Sequence, residues 1–161
     1  MKSFAVLILV LINQLIETPK LKNTTIYLIR HAEKEAVGDN PELSQKGIER
    51  SHYWKNYFLN KSIDVIYATP TKRSQMTIDP LAASLQKEIN FYKPEQMGLK
   101  ELAEKYTGKT ILVVGHSNMM SDYVNHLFGE NKYPEIPEDE YDNLYTVTFS
   151  YQDFYIQKTK P

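Results

Sequence analysis

The sequence predicts an α/β domain built on a mainly parallel central sheet covered by helices on both faces. Three observations carry that expectation. Short apolar β-like runs alternate with helix-length segments along the chain, the pattern of strand–helix–strand units. The run Ile111-Leu112-Val113-Val114 has no polar face, as expected of a central strand buried on both sides. Three of the runs also deliver an ionisable group just past their carboxyl ends: Arg30-His31, Arg73 and His116. Ligand crevices of open α/β sheets lie beyond those ends.

The elements follow in order. Thr25 to Ile29 reads as the first strand, and 30–42 as a loop with Gly38-Asp39-Asn40-Pro41 as its turn signal. Ser44 caps a helix running through Trp54 to about Leu59. Asp64 to Ala68 is a second strand. Thr69-Pro70 then reads as an N-cap followed by proline at the first helical position, placing Arg73 in the first turn of a helix that ends near Leu85. Ile89 to Tyr92 is a short strand, Leu99 to Tyr106 a helix, Thr110 to Val114 the central strand and Met119 to Phe128 the helix behind His116. Apolar–polar alternation from Tyr145 to Lys158 around Gln152-Asp153 predicts an antiparallel hairpin.

Composition narrows the function classes. At 161 residues the chain holds one domain with a substantial core. A net charge of −1 excludes a molecule built to bind polyanions, so nucleic acid is not an expected partner and any anion site must be local. There is no cysteine, hence no thiol nucleophile, disulfide or thiolate zinc site. Residues 1–24 differ from the rest. Met1-Lys2-Ser3 precedes an apolar run from Phe4 to Ile12, which fits an export signal or membrane anchor followed by a linker. The run is short for a membrane span. The alternative is a strand or buried helix of the fold. The expectation is an exported or anchored protein, touching membrane only through this segment, with residues 25–161 as the functional domain.

Two arginines and two histidines gathered at one sheet edge suit a phosphate. A phosphoryl monoester carries nearly two negative charges, and guanidinium forks match its oxygens. Arg30 precedes His31, and Arg73 opens a helix whose amino end is electropositive. Beside such a clamp one neutral imidazole can attack phosphorus, forming a phosphohistidine that water later hydrolyses. The other, protonated, can stabilise charge on the equatorial oxygens.

The motifs resemble those of the histidine phosphatase superfamily, which includes the cofactor-dependent phosphoglycerate mutases. Arg30-His31-Ala32-Glu33 is similar to its Arg-His-Gly-Glu signature, and Leu43-Ser44-Gln45-Lys46-Gly47 to its Leu-Thr-x-x-Gly step into the first helix. Tyr67 to Thr77 resembles its Ser-Ser-Pro-x-x-Arg-x-x-Gln-Thr segment, and Gly115-His116-Ser117-Asn118 matches its second histidine. The resemblance implies a three-layer α/β/α sandwich of the phosphoglycerate mutase-like type. His31 would be the nucleophile, with Arg30, Arg73 and His116 forming the phosphate pocket, and neither cofactor nor metal taking part. The absence of a cap insertion resembles the family's small phosphohistidine-phosphatase-like members, and implies a phosphatase acting on a small phosphorylated substrate or a phosphoprotein.

The chain departs from the family pattern at the general acid. The stretch after the third strand is short and Glu95 is its only carboxylate, while Asp142, before the last hairpin, is a second candidate. Glu33 reads as a residue that orients a neighbour or is solvated. Asn40 lies farther along than the asparagine that holds phosphate in mutases. Lys34 reads as an exposed charge, His52 and His126 as structural or surface residues, Ser117 and Asn118 as helix caps, and the acidic run from Glu135 to Asp142 as a solvated loop. Two other classes compete. A metal-dependent hydrolase would use His31, Glu33 and His116 as ligands, with Arg30 pressing a cation against the metal. A non-catalytic module would keep the clamp but bind its phosphate ligand without turnover.

Overall fold

The computed structural model describes residues 22–150 and 153–161, so the apolar run Phe4 to Ile12 of the expected export or anchor segment lies outside the described residues, while Thr24, expected in the linker, already belongs to the first strand. Strands β1 (Thr24–Arg30), β2 (Val65–Ala68), β3 (Ile89–Phe91), β4 (Thr110–Gly115), β5 (Leu144–Phe149) and β6 (Phe154–Thr159) form one sheet in the order β3-β2-β4-β1-β5-β6. The first four pair in parallel, and β5 and β6 add antiparallel on one side. Helices α1 (Gln45–Phe58), α2 (Lys72–Leu85), α3 (Leu99–Lys105) and α4 (Ser117–Phe128) fill the connections. This is the predicted three-layer sandwich.

Period-two alternation along the strands divides the core between the faces. Ile26, Leu28, Ile111 and Val113 pack with Leu99, Leu102, Met120 and Val124 of α3 and α4. Ile29, Leu112 and Val114 pack with Trp54 and Phe58 of α1 and Ile78 and Leu81 of α2. The central strands are therefore apolar on both sides, which is why they read as unbroken hydrophobic runs.

Helix starts depart from the sequence reading in two places. The cap of α2 is Thr71, whose side chain accepts from the Ser74 N–H, and not Thr69. Proline at position 70 holds Thr69 in the preceding turn, where its hydroxyl turns inward. Helix α4 begins two residues early, with His116 at the cap position and no side-chain capping bond, so Ser117 already lies in the first turn. The hydroxyl expected to cap that helix is directed elsewhere, as shown below.

Candidate active site

Register brings the two histidines together. In the parallel pairing of β1 with β4, Arg30 stands opposite Gly115. The next residues, His31 and His116, therefore leave the sheet side by side, their ring centroids 5.2 Å apart and nearly perpendicular. A Cβ on Gly115 would stand 2.8 Å from the Tyr92 hydroxyl and 2.7 Å from Met120 Cε, so the glycine lets those side chains close over the end of β4.

Hydrogen bonds assign the ring nitrogens. Nδ1 of His31 lies 2.8 Å from the Ala32 carbonyl. A carbonyl only accepts, so Nδ1 carries the hydrogen and Nε2 keeps its lone pair. His116 Nδ1 faces Arg73 Nη2 at 3.4 Å, and its Nε2 meets the Thr69 hydroxyl at 3.2 Å. The guanidinium only donates, so here Nε2 carries the hydrogen, and the Thr69 hydroxyl passes its own to Ser74 at 2.7 Å. Both imidazoles are neutral at pH 7. Burial, then the nearby His116, Arg73 and Arg30, push His31 down to about 3 against the pull of the Ala32 carbonyl. Burial and the two arginines push His116 down to about 4, against the opposing charge of Glu138.

The arginines complete an electropositive pocket. Arg73 occupies the first turn of α2, and burial together with the charge of Arg30 lowers its affinity for its proton. The Nε atoms of Arg30 and Arg73 are buried without a hydrogen-bond partner among the described residues. Two like charges thus stand beside two imidazoles, each with a buried donor left unpaired among the described residues, an arrangement that suits an anion. The four residues singled out from sequence are thus gathered at one place.

Arg30 does more than supply charge. Its Nη1 donates to the carbonyls of Pro137, Glu138 and Glu140 at 2.8–3.1 Å, and its Nη2 to the Glu138 carboxylate at 2.8 Å. The Tyr141 ring stacks on the guanidinium at 4.2 Å and lies 6.2 Å from the His31 ring. Ser117 donates its hydroxyl to the same Glu138 at 3.2 Å. The acidic run read as a solvated loop is therefore built into the site. A buried guanidinium needs acceptors, and this loop provides them with its backbone. Glu138 and Tyr141 escape sequence reasoning because their segment has neither period nor motif.

Glu33 is turned away from the histidines. Its carboxylate is held by Arg50 in two bonds of 2.8 Å and by Lys46 at 3.3 Å. Although burial works against it, those cations hold its carboxyl below the usual range. This anchors the His31 loop to α1. Thr77, wholly buried, anchors it to α2: it accepts from the Ala32 N–H at 2.8 Å and donates to the Arg73 carbonyl at 2.6 Å. The other two acid candidates have surroundings of their own. Asp142 lies 3.6 Å from Lys160, on the side of Arg50 and Tyr53. Glu95, in the short turn Pro94–Gln96, lines a groove between α3 and α4 with Asp122, Tyr123 and His126. Asn40 accepts from the Lys72 N–H at the start of α2, and His52 and His126 are exposed.

Comparison with known proteins follows the same lines. Residues 26–94 match the family model described as histidine phosphatase superfamily (branch 1). That stretch holds Arg30, His31, Gly47 and Arg73; His116 lies beyond it. No curated protein sequence matches the chain. Among solved structures, a mutant phosphoserine phosphatase from Entamoeba histolytica in complex with phosphoserine superposes with a TM-score of 0.67 at 16% identity, covering 83% of this chain and 94% of that one. A protein histidine phosphatase, SixA, complexed with tungstate gives 0.69 at 14% identity, over 85% and 97%. An alpha-ribazole phosphatase from Shigella flexneri gives 0.68 at 13% identity, over 85% and 96%. At these identities the likeness establishes the fold.

Proposed function

We propose that this chain, whose residues 26–94 match the family model of the histidine phosphatase superfamily, is a metal-independent phosphatase that hydrolyses phosphate monoesters or phosphoramidates through a phosphohistidine on His31. The observation that carries the reading is the pair of buried, partnerless guanidinium nitrogens beside a neutral imidazole whose Nε2 lone pair is free. The likeness to proteins named as a phosphoserine phosphatase, a protein histidine phosphatase and an alpha-ribazole phosphatase supports a small phosphorylated group as the substrate's reactive part.

The chemistry follows from the groups in place. Arg73 and Arg30 compensate the dianion, with the amino ends of α2 and α4 adding their partial charge. Nε2 of His31 attacks phosphorus without first losing a proton, since burial and its cationic neighbours keep it neutral. His116, drawn toward its charged form by the arriving dianion, stabilises the equatorial oxygens. A metal is disfavoured by the donor set. Two guanidiniums flank the imidazoles, and Glu33, the carboxylate a metal would need, is committed to Arg50 and Lys46.

Steady-state hydrolysis of nitrophenyl phosphate, with and without chelator, tests this. Turnover that a chelator leaves unchanged is expected, with an acid-labile, alkali-stable phosphoryl label mapping to His31. His31→Ala should abolish both, whereas His116→Ala should leave a trace of phosphoenzyme. Tight phosphate binding without turnover would establish the non-catalytic module instead. Activity lost to chelator and restored by zinc or manganese would establish the metal reading. We further propose that the segment carrying the apolar run Phe4 to Ile12 exports or anchors the domain, which fractionation of cells expressing the full chain would decide.

A further inference from the structure

The Glu138 carboxylate touches the site from outside, and the two-step reaction leaves it without a task. Its Oε2 accepts from Arg30 and its Oε1 from Ser117, the residues adjoining His31 and His116 in sequence. The pocket is closed inward. Arg30 and His31 are 2% and 3% exposed, and Thr69, Ser74 and Thr77 are buried behind them. The substituent of a phosphate seated between the imidazoles must therefore project outward. The Glu138 side chain, 82% exposed, stands at that mouth. Glu33 is held by Arg50 and Asp142 faces Lys160, while Glu95 lines the groove between α3 and α4.

On the phosphatase reading, we propose that Glu138 is the proton donor to the leaving oxygen and the proton acceptor from the attacking water. The phosphate displaces the carboxylate from the Arg30 fork, and the freed carboxyl, carrying one proton, faces the departing oxygen. The His31 Nε2 lone pair forms the N–P bond while the ester P–O bond breaks. The electron pair of that bond stays on the departing oxygen, which takes the Glu138 proton and leaves as the alcohol. Water then attacks the phosphohistidine, giving one proton to the Glu138 carboxylate as its oxygen bonds phosphorus. The N–P pair returns to His31 and phosphate departs, restoring the starting state.

The test compares kcat/KM for the parent and Glu138→Gln on nitrophenyl phosphate, whose leaving group needs little protonation, and on glycerol phosphate, whose alkoxide needs it fully. The substitution keeps shape and an acceptor oxygen at an exposed side chain, and circular dichroism confirms the fold. Glycerol phosphate turnover should fall about 10²- to 10⁴-fold and nitrophenyl phosphate turnover less than about 10-fold, with Glu138→Asp recovering part of the loss. Equal losses on both esters would overturn the role, as would no loss, or tighter phosphate binding with alkyl turnover intact. The same split produced by Asp142→Asn instead would also overturn it. A parent enzyme that hydrolyses neither ester overturns this inference, and one that hydrolyses no phosphoramidate either refutes the phosphatase reading itself.

Discussion

Gly47 lies in the first turn of α1, and replacing it with alanine is expected to damage the active site without touching a catalytic group. The Ser44 side chain caps this helix by accepting from the Gly47 N–H, and the Ser44 N–H donates to the Glu33 carbonyl at 2.9 Å. The helix backbone thus rests directly on the segment two residues past His31. A Cβ on Gly47 would sit 2.0 Å from the Glu33 carbonyl oxygen and 2.9 Å from its carbon. Backbone cannot rotate away like a side chain, so α1 and the His31 loop must separate by roughly 1 Å. Overpacking of this kind costs about 1–3 kcal/mol, and straining the Ser44–Glu33 bond adds about 1 kcal/mol. The helix preference of alanine over glycine returns at most about 1 kcal/mol. The net loss is about 1–3 kcal/mol, or a Tm lowered by roughly 2–12 °C for a domain of this size. Displacing a catalytic group by about 1 Å can cost about 10²-fold in rate, so kcat/KM on nitrophenyl phosphate should fall about 10- to 100-fold. Thermal melts and steady-state kinetics on the same preparation check both numbers, with Gln45→Ala, an exposed position on the same turn, as the control. A Gly47→Ala protein as stable and as active as its parent would refute the argument.

Three further outcomes are expected. Arg73→Lys keeps the charge but loses the fork and one charge-assisted bond of about 1.5–3 kcal/mol, so KM for nitrophenyl phosphate should rise about 10- to 150-fold while urea unfolding changes little. Glu33→Gln removes the charge that Arg50 and Lys46 hold and should cost about 1–3 kcal/mol of stability by urea titration, with a smaller loss of activity than Arg73→Lys. The unfolded chain protonates His31 below its ordinary 6.5 whereas the folded protein resists until about 3, so stability is present above 6.5 and lost as pH falls toward 3. Between pH 7 and pH 5 this amounts to about 2 kcal/mol from His31, with His116 adding in the same direction, and saturating tungstate should reduce the loss; a flat profile over that range would contradict neutral buried histidines.

The sheet was legible because its strands repeat a pattern that burial on two faces imposes. Leu112 and Val114 serve one helical layer while Ile111 and Val113 serve the other, so the strand admits no polar residue and stands out in any window. Arg30, His31, Arg73 and His116 were legible because each directly follows such a strand or opens the next helix. The cap of α2 was misplaced because Thr69-Pro70 and Thr71 both satisfy the local preference. What decides between them is tertiary: the Thr69 hydroxyl meets His116 and Ser74 instead. Glu138 and Tyr141 were illegible for another reason. Their segment is shaped by what Arg30 requires of it, and a residue whose position depends on an arginine more than a hundred places earlier in the chain leaves no periodic trace.

This difference in legibility divides the site into two halves. The inner half is fixed by sheet register: with Arg30 opposite Gly115, His31 and His116 must emerge together, and slipping the pairing by one residue would reverse every side chain of β1. Such a half tolerates little change, which suits a phosphoryl group that is the same in every substrate. The outer half is a loop hung on one guanidinium, with the backbone carbonyls of residues 137, 138 and 140 making the attachment. Carbonyl acceptors are available from any side chain but constrain none of them, so the loop can hold its place while its side chains vary. Glu138 and Tyr141 stand at the mouth on that attachment. On the proposed reading, whatever distinguishes one phosphorylated substrate from another is met there, since Thr69, Ser74 and Thr77 are buried behind the inner half.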